Sequence, residues 1–187
     1  MDMIMALWFP VLATAISVFF VSFLCWMVLP HHRKDIQALP DEKPIFEAIR
    51  SLAVPPGLYM WPNCADPADY RSKAFIARFR EGPWGTITIS PTKPNFRKNL
   101  LVTFVVYLSV AIGSGLLIHW GLGYGGTFME VFPPAATMAF LAYGLGPICG
   151  ATFLGKPLRF MITDFADGIL MALTNGVVLA ALWPALG

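Results

Sequence analysis

Two groups of side chains in this sequence have the chemical types that binding or catalysis needs, and they are far apart along the chain. The first is the adjacent pair His31 and His32, which together with Cys64 offers imidazole and thiol groups suited to soft metal ions. The chain contains no CxxC or HxxxH pair and no fourth ligand at a recognised spacing. The three residues are therefore metal candidates by type alone. Adjacent histidines at a helix end also suit contact with lipid headgroups.

The second group lies in the segment TDFADGILMALTNG near the C-terminus. At about 100° per residue, Asp164, Asp167 and Asn175 fall on one side of a helix. Acids within an apolar segment are costly and often mark an ion or proton pathway. The alternative is structural: the dipole at a helix N-terminus and nearby basic side chains would stabilise the acids, and Asn175 would donate a hydrogen bond between helices.

A third feature is the proline-rich segment VPPGLYMWPNCADP, which presents Tyr59, Met60 and Trp61 on an extended run. Pro56 and Gly57 suit a type II turn in which Gly57 takes a positive φ. Aromatic side chains of this kind favour the interface between membrane and water, where the segment would be a stiff connector. They are also typical of protein interfaces, so the three residues are candidate partner-binding residues.

The motifs of common enzymes are missing from the sequence. There is no glycine-rich phosphate loop and no GxSxG element. The Asp167–Gly168 pair is similar to the start of the signature of transferases that use CDP-alcohols, but the Ala-Arg and the two later aspartates of that signature do not follow. We therefore expect no catalytic residues and no cofactor.

The composition indicates a membrane protein. Hydrophobic residues make up 57% of the chain, charged residues 13%, and the mean hydropathy is +0.64, whereas soluble domains carry about 25% charged residues. A helix that crosses a bilayer needs about 20 apolar residues. The stretches that qualify are 4–29, 100–121, 131–153 and 165–186. The sequence thus predicts an all-α integral membrane protein with four transmembrane helices.

Between the first two apolar stretches lies a long polar segment, which we expect to lie at the membrane surface. It contains two predicted amphipathic helices, 41–52 and 65–82, and a short alternating strand, 84–90, with no evident partner in the chain. The predicted division is a first transmembrane helix, this interfacial segment and a three-helix unit: 1–29, 30–99 and 100–187.

The basic residues indicate the orientation. All 13 Lys and Arg residues lie either between Arg33 and Lys98 or at Lys156 and Arg159. With four spans, both basic segments are on the same side, and the positive-inside rule makes that side cytoplasmic. Both termini are then outside. The net charge of +2 reflects this topology, and we expect no nucleic-acid partner.

Four short motifs are similar to those of a group of small four-span bacterial inner-membrane proteins that has no assigned activity. The motifs are PPG-x-Y (55–59), GKP-x-R (155–159), Asp167–Gly168 and Trp183–Pro184. The resemblance implies a bacterial cytoplasmic membrane and a four-span plan, and it implies no activity.

The leading functional hypothesis from the sequence is an accessory or interaction subunit, embedded in the lipid bilayer with a larger membrane protein or with further copies of itself. The first alternative is a small transporter or ion-conducting oligomer that uses Asp167 and Asn175. The second is a membrane metal-handling protein that uses His31, His32 and Cys64.

Overall fold

The computed structural model describes residues 3–185, and their contacts divide the chain into two compact units. Ala38–Pro94 form one unit, and the residues before and after this segment form the other. The protein is mostly helical, with 71% of its residues in helices. In chain order, the helices are α1 (Met3–Phe23), α2 (Lys43–Ser51), α3 (Lys73–Glu81), α4 (Phe96–Leu122), α5 (Phe128–Phe140), α6 (Gly146–Phe153) and α7 (Leu158–Ala181), and the strands are β1 (Gly57–Trp61) and β2 (Gly85–Ile89).

The larger unit contains four helices that are long and apolar enough to cross a membrane, which confirms the number and order predicted from the sequence. Two of them include a π-helical turn: Leu24–Val28 extends α1, and Leu141–Leu145 joins α5 to α6. The four candidate spans are Met5–Val28, Phe96–Leu122, Phe128–Phe153 and Leu158–Ala181.

The fourth apolar helix begins earlier than the hydropathy pattern suggested. The extended backbone of Pro157 (ψ 141°) precedes the first helical residue, Leu158, instead of a start near residue 165. A proline is unfavourable in a helix interior but well suited to the start of a new helix. Asp167 therefore lies in the third turn of α7. The helix dipole acts within the first turn, so it does not account for an acid at this position.

Small residues allow α7 to lie very close to its neighbours. A Cβ atom placed on Gly168 would be 2.6 Å from the Cα atom of Gly144, and one on Gly176 would be 2.8 Å from the Cβ atom of Ala136. Glycine and alanine at helix contacts permit this close approach. The neighbouring helices of the larger unit consequently pack against the face of α7 that carries these two glycines.

The smaller unit contains a two-stranded antiparallel sheet that the all-α prediction missed. Strand β2 pairs antiparallel with β1, with Gly57 opposite Ile89 and Trp61 opposite Gly85. The expectation that strand 84–90 lacks a partner in the chain is therefore wrong. Its partner is the proline-rich aromatic segment, which is extended because it is half of a sheet.

Two local predictions in the smaller unit are also corrected. Gly57 is the first residue of β1 and does not adopt a positive φ, whereas Ala53 does (φ 47°), so the predicted type II turn does not form. The helix expected over 65–82 is divided: Pro67–Arg71 form a 3₁₀ turn, and α3 follows from a new cap at Ser72.

Candidate metal centre

The two adjacent histidines lie on a turn that directly follows the first apolar helix. Leu29 has extended backbone angles (φ −73°, ψ 143°), and Pro30 then begins a 3₁₀ turn that runs to Lys34. Pro30 lacks the amide hydrogen that a further helical bond would need, and the extended backbone of Leu29 ends the first helical segment before it. The turn brings the imidazoles of His31 and His32 to α7.

The residues that meet this turn are spaced by four along α7. Arg159, Thr163 and Asp167 follow each other at i, i+4 and i+8, and residues four apart lie on the same helix face. The same stripe continues inward through Met171 and Asn175, which are both buried. Asp167 is 2% exposed, so its carboxylate is held almost entirely away from solvent.

Both histidines direct the same ring nitrogen at this one carboxylate. His31 Nε2 is 2.8 Å from Asp167 Oδ1, and His32 Nε2 is 2.7 Å from Asp167 Oδ2. These side chains offer three ligand atoms within 4.8 Å of one another, a group that can hold a metal ion. We call His31, His32 and Asp167 the His–Asp centre.

A second layer of side chains holds the His–Asp centre in place. His32 Nδ1 is 2.7 Å from Asp35 Oδ2, and the Thr163 hydroxyl donates a hydrogen bond of 2.7 Å to the same oxygen. Arg159 forms an ion pair with the other Asp35 oxygen and donates to the His31 carbonyl at 2.8 Å. These three residues, Asp35, Thr163 and Arg159, form the supporting network.

An aromatic ring covers one face of the centre. The indole of Trp26 stacks on the His32 imidazole with 3.9 Å between ring centroids and an angle of 8° between the planes. Together with the hydrogen bond to Asp35, this stacking restricts rotation of the His32 ring. His32 is 7% exposed, so the orientation of its Nε2 atom is set by the protein and not by solvent.

The protonation pattern of His32 allows two states. As an imidazolium, the ring donates to Asp35 and Asp167 together. As a neutral imidazole with its proton on Nδ1, it donates to Asp35 and leaves a lone pair on Nε2 for a cation. A histidine whose second nitrogen donates to a carboxylate is the usual arrangement behind a metal ion.

The charge and the chemical types of the groups fit a divalent cation. With neutral imidazoles, the two carboxylates of Asp35 and Asp167 and the guanidinium of Arg159 sum to one negative charge. Metal–ligand bonds of about 2.0–2.1 Å place tetrahedral donor atoms about 3.4 Å apart. Because the donors now lie 2.7 and 2.8 Å apart, a shift of about 0.6 Å would admit a transition-metal ion.

The structure joins residues that the sequence had assigned to different hypotheses. His31 and His32 came from the metal hypothesis and Asp167 from the ion-pathway hypothesis, yet they form one group. Cys64 is not a member of the metal-ligating group found among the described residues. It lies in the Ala38–Pro94 unit, where its Sγ atom is 4.0 Å from Arg78 Nη2.

The other candidate on α7 is a buried link between helices. Asn175 is fully buried, and its Nδ2 atom donates to the Ala135 carbonyl at 3.1 Å and to Ser114 Oγ at 3.3 Å. Asp164 lies one turn from Arg159 and is only partly buried. The placement of Asn175 favours a structural role.

The candidate partner-binding residues all lie on β1. The Tyr59 hydroxyl donates to the Pro55 carbonyl at 2.7 Å, which ties this ring to its own segment. Met60 is 46% exposed and Trp61 is 41% exposed. These two side chains are accessible on the surface of the smaller unit.

Sequence reasoning missed the supporting network, although the pattern contains a signal for it. In the segment HHRKD, Asp35 follows His32 by three residues, a spacing that lets the two side chains meet on one turn. On α7, the four-residue repeat of Arg159, Thr163 and Asp167 places them in one row. Only the tertiary structure shows that the turn with His32 and Asp35 packs against this row of α7.

Comparison with protein-family models, curated proteins and solved structures gives no match for this chain.

Proposed function

We propose that this chain is a small multi-pass membrane protein that binds a divalent transition-metal cation at the His–Asp centre. One observation carries the proposal: two Nε2 atoms converge on a single buried carboxylate, and Asp35 accepts a hydrogen bond from the far side of one of the two rings. Imidazole and carboxylate are the ligands that zinc and related ions take in proteins.

The energetics favour a ligand site over a purely structural cluster. Buried ion pairs pay a desolvation cost that often exceeds their mutual attraction, so apolar side chains would join α1 to α7 at least as well. The protein instead maintains two buried acids, a guanidinium and two imidazoles at this point. A bound cation would compensate the charge of the carboxylates and make use of the oriented lone pairs.

The test is metal binding by the purified full chain in detergent, stripped with a chelator and dialysed against zinc, cobalt and manganese ions. We expect one equivalent of metal per chain. Asp167→Asn should weaken the affinity at least about tenfold, whereas the control Asp41→Asn, which changes an exposed acid on the chain segment before α2, should leave it unchanged. Wild-type protein that binds no metal, or an Asp167→Asn variant that binds as wild type does, would contradict the proposal.

We further infer that the protein lies in the cytoplasmic membrane of a bacterium with both termini outside. The support is the confinement of all Lys and Arg residues to two segments, 33–98 and 156–159, which end in the first turns of α4 and α7. In this orientation, the histidine turn after α1 and the start of α7 both face the cytoplasm. The proposed cation site would then be loaded from the cytoplasmic side.

A second candidate function is favoured by the exposed side chains of the smaller unit. Met60 borders a groove of about 410 Å³ that is also lined by Phe75, Ile76, Phe79 and Arg80. Apolar side chains together with a guanidinium suit an apolar segment that carries an acidic residue. We propose that a larger membrane protein supplies that segment, which would make this chain an accessory subunit.

Native mass spectrometry of the gently extracted protein tests this second function. Wild-type protein should carry the partner, and Met60→Ser combined with Trp61→Ala should release it without loss of membrane insertion. Leu52→Ser changes an apolar residue of the smaller unit that is even more exposed, at 74%, and should retain the partner. A particle that contains only this chain would contradict the accessory role.

A further inference from the structure

A groove between the first two apolar helices is used by neither proposal above. Its volume is about 340 Å³, within the range of about 300–1,000 Å³ that is usual for ligand sites. One wall is the end of the first span, and the other is the first part of α4. The side chains that form the two walls are Phe23, Trp26, Met27, Phe96, Leu100 and Thr103. Aromatic and aliphatic groups make up almost all of this surface, so the groove suits an apolar chain.

The inner end of the groove is closed by contacts between the same two helices. The Ser22 and Tyr107 hydroxyls lie 2.7 Å apart in a hydrogen bond, and the Phe19 ring packs edge to face against Tyr107 with 6.4 Å between the centroids. Ser22 and Tyr107 are each 9% exposed. Because the two hydroxyls pair with each other, an apolar ligand at this end would leave neither of them without a partner.

The length of the groove matches one leaflet of a bilayer. Tyr107 is 11 residues beyond Phe96, a distance of about 16–17 Å along a helix. The hydrocarbon core of a bilayer is about 30 Å thick, so one leaflet contributes about 15 Å. An acyl chain that enters beside Phe96 would therefore reach the closed end near Tyr107.

The outer end of the groove carries an arginine that has no acidic partner. Arg97 is exposed and directly follows the wall residue Phe96 in the first turn of α4. The ion pairs found within residues 3–185 all belong to the His–Asp centre and its supporting network, and none of them includes Arg97. At about 100° per residue, Arg97 lies beside the groove-lining face of α4, whereas Lys98 lies on the opposite side of the helix.

A hydroxyl between the two ends is also free. Ser109 and Ser114 on the same helix donate to carbonyls of the preceding turn. The Thr103 hydroxyl lines the groove and has no hydrogen-bond partner in the described part of the chain. It can donate to an ester carbonyl of a molecule that lies in the groove.

We propose that this groove binds one molecule of an anionic phospholipid, with an acyl chain between the first span and α4 and the phosphate at Arg97. The apolar walls, the length of one leaflet and the unpaired guanidinium each match one part of such a lipid. Basic groups beside transmembrane helices attract anionic headgroups, and basic pockets between such helices bind them. This site goes beyond the proposed metal binding, and lipid binding is expected whether or not a metal ion is bound.

Native mass spectrometry of the full chain in detergent tests the site with two lipids that share their acyl chains, phosphatidylglycerol and phosphatidylcholine. We expect one retained phosphatidylglycerol per chain and an affinity for phosphatidylcholine that is about fivefold lower, because only the first lipid has a net charge to pair with Arg97. Thr103→Phe should fill the groove and abolish the retained lipid. Val102→Phe makes a similar enlargement at a neighbouring position that is 53% exposed and should retain it.

A second pair of variants tests the headgroup contact and does not depend on the folding of Thr103→Phe. Arg97→Gln should lower phosphatidylglycerol affinity about fivefold, whereas Lys98→Gln, on the opposite side of α4, should leave it unchanged. Equal binding of the two lipids by the wild type, equal affinities of these two variants, or retention of lipid by Thr103→Phe would each overturn the proposal. A lipid-free dimer that Thr103→Phe dissociates would also overturn it, because a second copy of the chain would then fill the groove.

Discussion

At the scale of single residues, the most informative side chain is Asp35, because it would affect a bound cation only through His32. It does not contact the position of a cation between the ligand atoms, yet it faces the Nδ1 atom of His32 at 2.7 Å. A carboxylate at this position holds the ring proton on Nδ1 and directs the Nε2 lone pair at the cation. Thr163 and Arg159 in turn hold the carboxylate.

The first prediction concerns this residue. Asp35→Asn should lower zinc affinity about 10- to 100-fold while one equivalent still binds, because the three ligand atoms remain and only the orientation of His32 is lost. Competition with a chromophoric chelator measures the affinity. Asp41→Asn, which changes an exposed acid on the chain segment before α2, is the control. Equal affinities in the two variants would show that Asp35 does not position His32.

The second prediction distinguishes a structural role of Asn175 from a role in ion conduction. Asn175→Ala removes two hydrogen bonds between helices and should reduce the free energy of unfolding by about 1–2 kcal/mol. Zinc affinity should not change, because the residue lies two turns deeper along α7 than Asp167. Unfolding in mixed micelles and chelator competition measure the two effects. A loss of metal binding at unchanged stability would instead support an ion pathway through Asn175.

At the scale of elements, α7 has two functions along a single face. Its first three turns supply the acid of the His–Asp centre and part of the supporting network. Its small residues pack against the neighbouring helices, and Gly168 lies directly beside Asp167 in sequence. The depth at which Asp167 is buried therefore depends on how closely α7 approaches the π-helical turn Leu141–Leu145.

The third prediction changes this approach. Gly168→Ala places a methyl group 2.6–2.7 Å from backbone atoms of Gly144, where nothing flexible can yield, and should destabilise the protein by about 1–3 kcal/mol. Gly150→Ala is the matched control, because it is also helical and a Cβ there meets no atom within 4 Å. The control should be neutral or slightly stabilising. Thermal unfolding of both variants in detergent gives the comparison.

At the scale of the whole molecule, the distribution of charge is the main constraint on the proposed orientation of the protein. The four apolar helices are each long and apolar enough to cross a membrane. All Lys and Arg residues lie in two segments, 33–98 and 156–159, which end in the first turns of α4 and α7. The proposed metal site is formed at the same end of the larger unit, since the histidine turn follows α1 and the start of α7 follows the second basic connection.

The fourth prediction tests the orientation. In a variant that lacks Cys64 and Cys149, Thr92→Cys should react with an impermeant maleimide only after spheroplasts are opened. Gly121→Cys, at an exposed position near the end of α4, should react with intact spheroplasts. Labelling of the two positions in the opposite order would show that the basic connections are outside, and the cation would then be bound from that side.

By itself, the sequence determined the features that depend on composition and on neighbours along the chain. The four apolar helices were predicted because length and hydropathy are local properties, and the stop at Pro30 followed from the chemistry of proline. The start of α7 was placed seven residues too late, since Arg159, Asp164 and Asp167 lower the local hydropathy although they lie in the helix.

Only the tertiary structure decided which residues meet. His32 and Asp167 are separated by 135 positions, and β1 and β2 by an intervening helix and 3₁₀ turn. Periodicity reports the face on which a side chain lies but not the face packed against it. The metal and ion hypotheses therefore remained separate in the sequence. They became one site because the turn after α1 packs against the face of α7 that carries Asp167.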